Sequence, residues 1–271
     1  MKPSTMESKN LKNNISSVKS SDSVNFKVLK RRNLQKVAIL LIWFVLWEVF
    51  HVIVGKAVLV PSPFDTIKTL GAMMYEVTFY QQILATFGRV LAGVGISLGL
   101  GFILAGLSYK YHFIQLFLQP MVAFMKATPI MAIIILALLW FQSNEVPICV
   151  CILMCYPIVY TNLLTGLKAL DRELIEMNQV YHVKKWLVIK KCYWPQLKKY
   201  VLASMQLGLS MGWKVVIAAE VLALPKYAIG DALLSAKLYI ETTQVFAWIL
   251  VIVGLSQLCE SSVQLLFKKG A

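Results

Sequence analysis

The sequence predicts an all-α polytopic membrane protein with six transmembrane helices. Three observations carry that expectation. The 271 residues are 58% hydrophobic and only 15% charged, with a mean hydropathy of +0.68, whereas a soluble domain is roughly 45–50% apolar and about 25% charged. The charges cluster, leaving apolar runs of close to 20 residues, the length that crosses about 30 Å of hydrocarbon as a helix. The excess of positive charge, +14 overall, falls in alternate connections between those runs, which is the signature of membrane topology. Helices are the expected solution because lipid offers backbone groups no partner, and the alternation of a β-barrel strand is missing.

Residues 1–35 are polar, rich in Ser, Asn and Lys, and end on Lys27, Lys30, Arg31 and Arg32. This stretch reads as a disordered basic cytoplasmic tail, and residues 36–269 as the transmembrane domain. The first apolar run, about Val37–Val54, reads as a retained span and not a cleaved signal, since no small-residue cleavage site follows. Span two is about Ile83–Leu107, span three lies within Phe113–Phe141, span four is about Val146–Leu167, span five about Tyr200–Leu224 and span six about Gln244–Phe267. The tail, Ser108–His112, Lys168–Lys199 and the C-terminus are basic; the other three connections are near neutral. With six spans all the basic segments share one side, so both termini are expected in the cytoplasm.

Span three carries Pro120 and Pro129 with Lys126 between them. Proline removes a helical hydrogen bond and clashes with the preceding turn, so a short helix through Phe124, a break, and a spanning helix from Pro129 are expected. Small residues recur at four-residue intervals in span two (Gly93, Ser97, Gly101, Ala105) and span five (Ser204, Gly208, Gly212). That spacing lets helices approach closely in a compact bundle.

Several function classes are excluded or left without support. The basic residues flank apolar spans and form no soluble basic surface, so nucleic acid is not an expected partner; the lipid bilayer is. Five cysteines without CxxC spacing and three scattered histidines suggest no metal site. No Ser/His/Asp or HExxH constellation falls within the spans, so the chain is not read as an enzyme and no cofactor is expected. There is no GxxxxGK[ST] phosphate loop.

The connection Lys168–Lys199 is long for a small bundle. It opens on Asp171, a suitable N-cap, and places Leu174, Met177 and Tyr181 on one helical face. An interfacial helix lying on headgroups and a docking surface for a partner are both open readings of these residues.

Here the sequence resembles a family, the permease subunits of binding-protein-dependent ABC importers. Their cytoplasmic motif is Glu-Ala-Ala, three residues, Gly, nine residues, Ile, one residue, Leu-Pro. Glu176 takes the first position and Pro195 the last, at the family's spacing of 19. Met177 and Asn178 replace the alanines, His182 the glycine, Cys192 the isoleucine and Trp194 the leucine. The wider chain looks like the nitrate, sulfonate and taurine group in Trp47-Glu48, Val60-Pro-Ser-Pro63, Thr86-Phe-Gly-Arg89-Val-Leu-Ala-Gly93, Pro129 with Leu139-Trp140-Phe141, and Met211-Gly-Trp213-Lys214-Val-Val-Ile-Ala-Ala-Glu220 followed by Ala228-Ile-Gly230.

The resemblance implies a type I importer permease fold. It implies a second permease protomer, expected to be an identical chain, a pair of cytoplasmic ATP-binding-cassette ATPases that hydrolyse the nucleotide, and an extracytoplasmic substrate-binding protein. Glu176, Met177, Asn178, Tyr181, His182 and Pro195 would then form the coupling helix and its motif. The solute would be small, anionic or heterocyclic. An ion-gradient-driven transporter or channel is the alternative, although no internal inverted repeat is visible.

Charged residues inside spans are costly and suggest function. Lys126, Pro129, Lys214 and Glu220 are the candidate residues of a translocation path. The competing readings are a snorkelling Lys126 and interhelical hydrogen bonds for Lys214 and Glu220. Six residues, about 240° of helix, separate the latter two, so no direct pair is expected. Glu48 and Arg89 read as interfacial anchors near span ends.

Overall fold

A computed structural model describes residue 35 and residues 37–269; of the polar tail read over residues 1–35, residues 1–34 lie outside the described residues. The chain divides into two compact units, residues 1–65 and 66–271.

In the first unit, α1 (Val37–Val54) is apolar and long enough to cross a membrane. Gly55, in the left-handed region at φ 62°, ends it, with its N–H donating to His51 O at 3.0 Å. The following loop folds back onto the helix. Trp47 Nε1 donates to Pro61 O at 3.1 Å, and His51 Nδ1 lies 2.6 Å from Val60 O. The Val60–Pro63 segment closes with a cap for α2 (Pro63–Met73). The Asp65 N–H donates to Ser62 Oγ at 3.0 Å, and the Ser62 hydroxyl donates to Asp65 Oδ2 at 2.8 Å. This is a reciprocal capping arrangement with proline at the first helical position, where its missing N–H costs nothing.

The second unit is a helical bundle. Its centre is α3 (Val77–Lys110), α6 (Val146–Lys168) and α9 (Trp194–Ala223), packed mutually. Around them lie α4 (His112–Ala127), α5 (Ile130–Trp140), α10 (Ile229–Leu238) and α11 (Thr242–Lys269). One core layer joins Val90 and Val94 of α3 to Cys151 and Cys155 of α6, Trp213 and Val216 of α9, and Trp248 of α11. A second joins Ala105, Leu118, Val159, Leu163 and Val201, and a third joins Ile134 and Ala137 of α5 to Val150 and Val215. The small-residue stripes serve the expected purpose: a Cβ on Gly93 would sit 2.6 Å from the Cys151 side chain, so α3 and α6 meet at a distance that only glycine permits.

Among the described residues five helices are long and apolar enough to cross a membrane, and the α4–α5 pair makes a sixth span if counted as one. The pair is bent by 104°. The break differs from the sequence expectation. Pro120 sits inside α4, which continues past Phe124 to Ala127, because Leu118 and Val122 anchor the helix in the core on either side of the proline and packing outweighs one missing bond. The break falls at Thr128–Pro129. Residues before proline avoid the helical region, and Thr128 is extended at φ −74°, ψ 129°, with its hydroxyl donating back to Phe124 O at 2.8 Å. The 11 residues of α5 reach only about 16 Å, so α5 is not the spanning helix expected from Pro129; crossing needs the pair.

Between α6 and α9 lie α7 (Arg172–Val180) and α8 (Lys185–Val188). A π-helical turn, Ile189–Tyr193, runs from α8 straight into α9. Span five therefore begins within the basic connection, earlier than its apolar composition indicates. Pro195, without an N–H, is the local cause of the irregular turn.

Candidate functional site

At one end of the bundle core, α3 presents Thr86 and Arg89, one turn apart on one face, and α9 presents Glu220. Arg89 and Glu220 form an ion pair at 2.7 Å, with side chains 10% and 0% exposed. The Thr86 hydroxyl lies 2.9 Å from both carboxylate oxygens and accepts the Ile229 N–H at 3.0 Å. The Gly230 N–H donates to Glu220 Oε2 at 3.1 Å. The guanidinium also donates to Tyr227 O at 3.2 Å, Lys226 O at 2.9 Å and Asn144 Oδ1 at 3.3 Å. Leu224 and Tyr227 are left-handed, at φ 51° and 53°, and turn the chain between α9 and α10 back towards Arg89. A buried charge survives only when paired and hydrogen-bonded, and here both partners are.

This cluster corrects the reading of Arg89 as an interfacial anchor. It also gives Glu220 a framework role, since both its oxygens are engaged within the protein. No pair joins Glu220 to Lys214, as their helical spacing predicts. Asn144 carried no sequence signal of a site, and Thr86 only its place in the Thr86–Gly93 segment that resembles the family. The available signal was that Arg89 and Glu220 are opposite charges inside apolar spans; their separation of 131 residues hid the pairing.

The other path candidates lie elsewhere. Lys126, in the last turn of α4, is exposed, and its Nζ donates to Thr161 Oγ1 of α6 at 3.0 Å. Pro129 caps α5 at the bend. Lys214 is exposed in the second half of α9, nine residues before its end at Ala223. Among the described residues no hydrogen bond or ion pair joins these three to one another or to Glu220.

The connection between α6 and α9 carries the motif residues. Asp171 caps α7, its Oδ1 accepting the N–H groups of Glu173 at 3.0 Å and Leu174 at 3.4 Å. The Asp171 N–H in turn donates to Gln196 Oε1 at 3.1 Å, so the start of α7 is held against the start of α9. Leu174, Met177 and Asn178 line a groove of about 430 Å3 whose opposite wall includes Leu187, Cys192 and Pro195. Asn178 Nδ2 donates to Leu174 O at 2.6 Å. Glu176 and Tyr181 are exposed, Tyr181 by 74%. Tyr181 thus leaves the face shared by Leu174 and Met177, because α7 ends at Val180.

His182 ends this turn at φ 47°, in the left-handed region where glycine is favoured. The glycine of the family motif stands at the same position. His182→Gly is expected to stabilise the turn by about 1 kcal/mol. The measurement is amide exchange across residues 176–184, which slows if the substitution relieves backbone strain and quickens if only chain entropy is added.

Comparison with known proteins agrees with this architecture. Residues 97–269 match the model of the family described as binding-protein-dependent transport system inner membrane component. A putative aliphatic sulfonates transport permease of Bacillus subtilis is 27% identical over 229 residues, covering 83% of this chain and 82% of that protein. The taurine transport system permease of Escherichia coli is 27% identical over 190 residues, 69% of this chain and 65% of that protein. A formylaminopyrimidine transport permease of Halalkalibacterium halodurans is 25% identical over 139 residues, 51% and 55% of the two chains. The match over most of the helical bundle means that this chain belongs to the binding-protein-dependent transport permeases, multi-pass ABC transporter components of the cytoplasmic membrane.

Proposed function

We propose that the chain is the membrane subunit of an ATP-driven importer, working with a second copy of itself, a pair of cytoplasmic ATPases and an extracytoplasmic binding protein. Both termini lie in the cytoplasm in this reading, as does the Lys168–Lys199 connection. The observation that carries the reading is α7: a short capped helix outside the spans, tied to the base of α9 through Asp171 and Gln196. Its Glu176 and Tyr181 are exposed, and an apolar groove runs behind it. Such a helix suits insertion into a cleft on an ATPase. Motion there passes to α9 through the Asp171–Gln196 bond and the groove wall at Pro195.

Met177, Asn178 and His182 shape that helix and its end. The path for the solute runs between protomers, along the open side of α9 at Lys214 and past the α4–α5 bend at Lys126 and Pro129. Glu220 contributes by fixing α9 to α3 and α10. The solute is a small anionic or heterocyclic compound, in keeping with the sulfonate, taurine and formylaminopyrimidine permeases among its relatives.

The test is purification of the tagged protein from its own membranes in mild detergent. A stoichiometric ATPase is expected with the native chain and not with Glu176→Arg, which reverses the charge on the exposed face without touching the spans. Absence of an ATPase from the native preparation overturns the importer reading. An ATPase retained by Glu176→Arg, and also by Tyr181→Glu, moves the docking surface away from α7.

A further inference from the structure

We infer that Lys214 is the anion-binding residue of the translocation path, and that the transported solute is a small organic oxyanion, such as a sulfonate, phosphonate or carboxylate, on a short apolar body. The inference rests on the importer reading above and assigns its solute class to one side chain.

Leu207, Met211, Lys214, Ala218 and Leu222 recur at three- and four-residue intervals and so share one face of α9. Leu207, Lys214 and Leu222 are exposed there, while the opposite face is buried against α3 and α6 through Gly208, Gly212 and Val216. Lys214 is the charged residue of this open face. Among the described residues one ion pair is found, Arg89–Glu220, and the Lys214 ammonium has no hydrogen-bond partner. Its depth makes that position costly. Nine residues, about 14 Å, separate it from the end of α9 at Ala223, and fifteen residues, about 22 Å, from Lys199. A lysine stem spans neither distance, so the ammonium does not snorkel to the headgroups, and for the same reason a lipid phosphate does not reach it.

An intramembrane cation that is neither paired nor snorkelling requires water or an anion beside it. A two-fold pairing of α9 faces would bring two such ammonium groups towards one cavity, where they repel unless a negative charge lies between them. The ammonium offers three donors as a point charge, which suits the three oxygens of a sulfonate or phosphonate. Leu207 and Leu222, exposed on the same face, supply the apolar surface for the rest of the molecule.

The test places a reporter cysteine one turn away, Ala218→Cys, in the full chain in membrane vesicles of its own host. Its reaction rates with anionic sulfonatoethyl methanethiosulfonate and cationic trimethylammonioethyl methanethiosulfonate are read at residue 218 by peptide mass spectrometry, which separates it from the native cysteines. Both water-borne reagents are expected to react. The anion-to-cation rate ratio is expected to fall roughly tenfold when Lys214→Met is added, and to persist with Lys214→Arg. Met211→Cys repeats the measurement one turn to the other side if Ala218→Cys does not assemble. A reporter resistant to both reagents means that the face is packed or lipid-facing and overturns the inference, as does a ratio unchanged by Lys214→Met. ATPase co-purification from the same vesicles reports on the importer separately. An ATPase present with an unmoved ratio leaves the importer standing and removes the anion site, whereas an absent ATPase removes both.

Discussion

Arg89→Met is expected to destabilise the folded protein by about 3–5 kcal/mol, the cost of stranding one partner of a buried ion pair. The loss exceeds the value of the bond itself. Glu220 is fully enclosed and keeps only the Thr86 hydroxyl and the Gly230 N–H, and the carbonyls of Lys226 and Tyr227 lose their donor. Thr86→Val, which removes a neutral donor and leaves the charges paired, is expected to cost less, about 1–3 kcal/mol. The double variant Arg89→Met/Glu220→Met removes both charges and is expected to be more stable than Arg89→Met alone, since a buried pair replaced by apolar groups is often neutral. Denaturant unfolding in detergent, followed by tryptophan fluorescence, gives the three values and that of Glu220→Met, which completes the double-mutant cycle. If the double variant is as unstable as the sum of its parts, the two side chains do not interact, and the cluster described here is not what joins α3 to α9 and α10.

The sequence made the long elements legible and left the joints between them obscure, for physical reasons that particular residues illustrate. Length and apolarity alone define α1, α3, α6, α9 and α11, because lipid forces each run to satisfy its own backbone. The Asp171 cap is a local interaction over three residues, and local interactions are readable. The two prolines of span three carry the same sequence signal yet behave differently, since the outcome depends on tertiary anchoring at Leu118 and Val122. The start of α9 was hidden because Ile189–Tyr193 carries the adjacent Lys190 and Lys191, while its conformation follows from the proline just beyond it. The charge cluster was hardest to see. Each of its members looks like an isolated anomaly until contacts more than 100 residues apart in sequence are known.

Two glycine-to-alanine substitutions are expected to act in opposite directions. A Cβ on Gly230 would lie 2.5 Å from Glu220 Cβ, 2.7 Å from Val221 N and 2.8 Å from Ile217 O. Two of these are backbone atoms of α9, which cannot rotate aside as a side-chain tip can, so α10 must move away. That movement draws the Gly230 N–H off Glu220 and the Ile229 N–H off Thr86. Overpacking and a weakened buried carboxylate together give a loss of about 2–4 kcal/mol for Gly230→Ala. Gly95, in the interior of α3, has nothing within 4 Å of the added atom. There the gain in helix propensity acts alone, about 0.5–1 kcal/mol. Both variants are measured against the parent by the same unfolding assay. If Gly230→Ala is neutral, α10 is free to slide on α9, and the hydrogen bonds it gives to Glu220 and Thr86 do not fix the end of the bundle; if Gly95→Ala is strongly destabilising, that face of α3 is covered by a neighbouring chain.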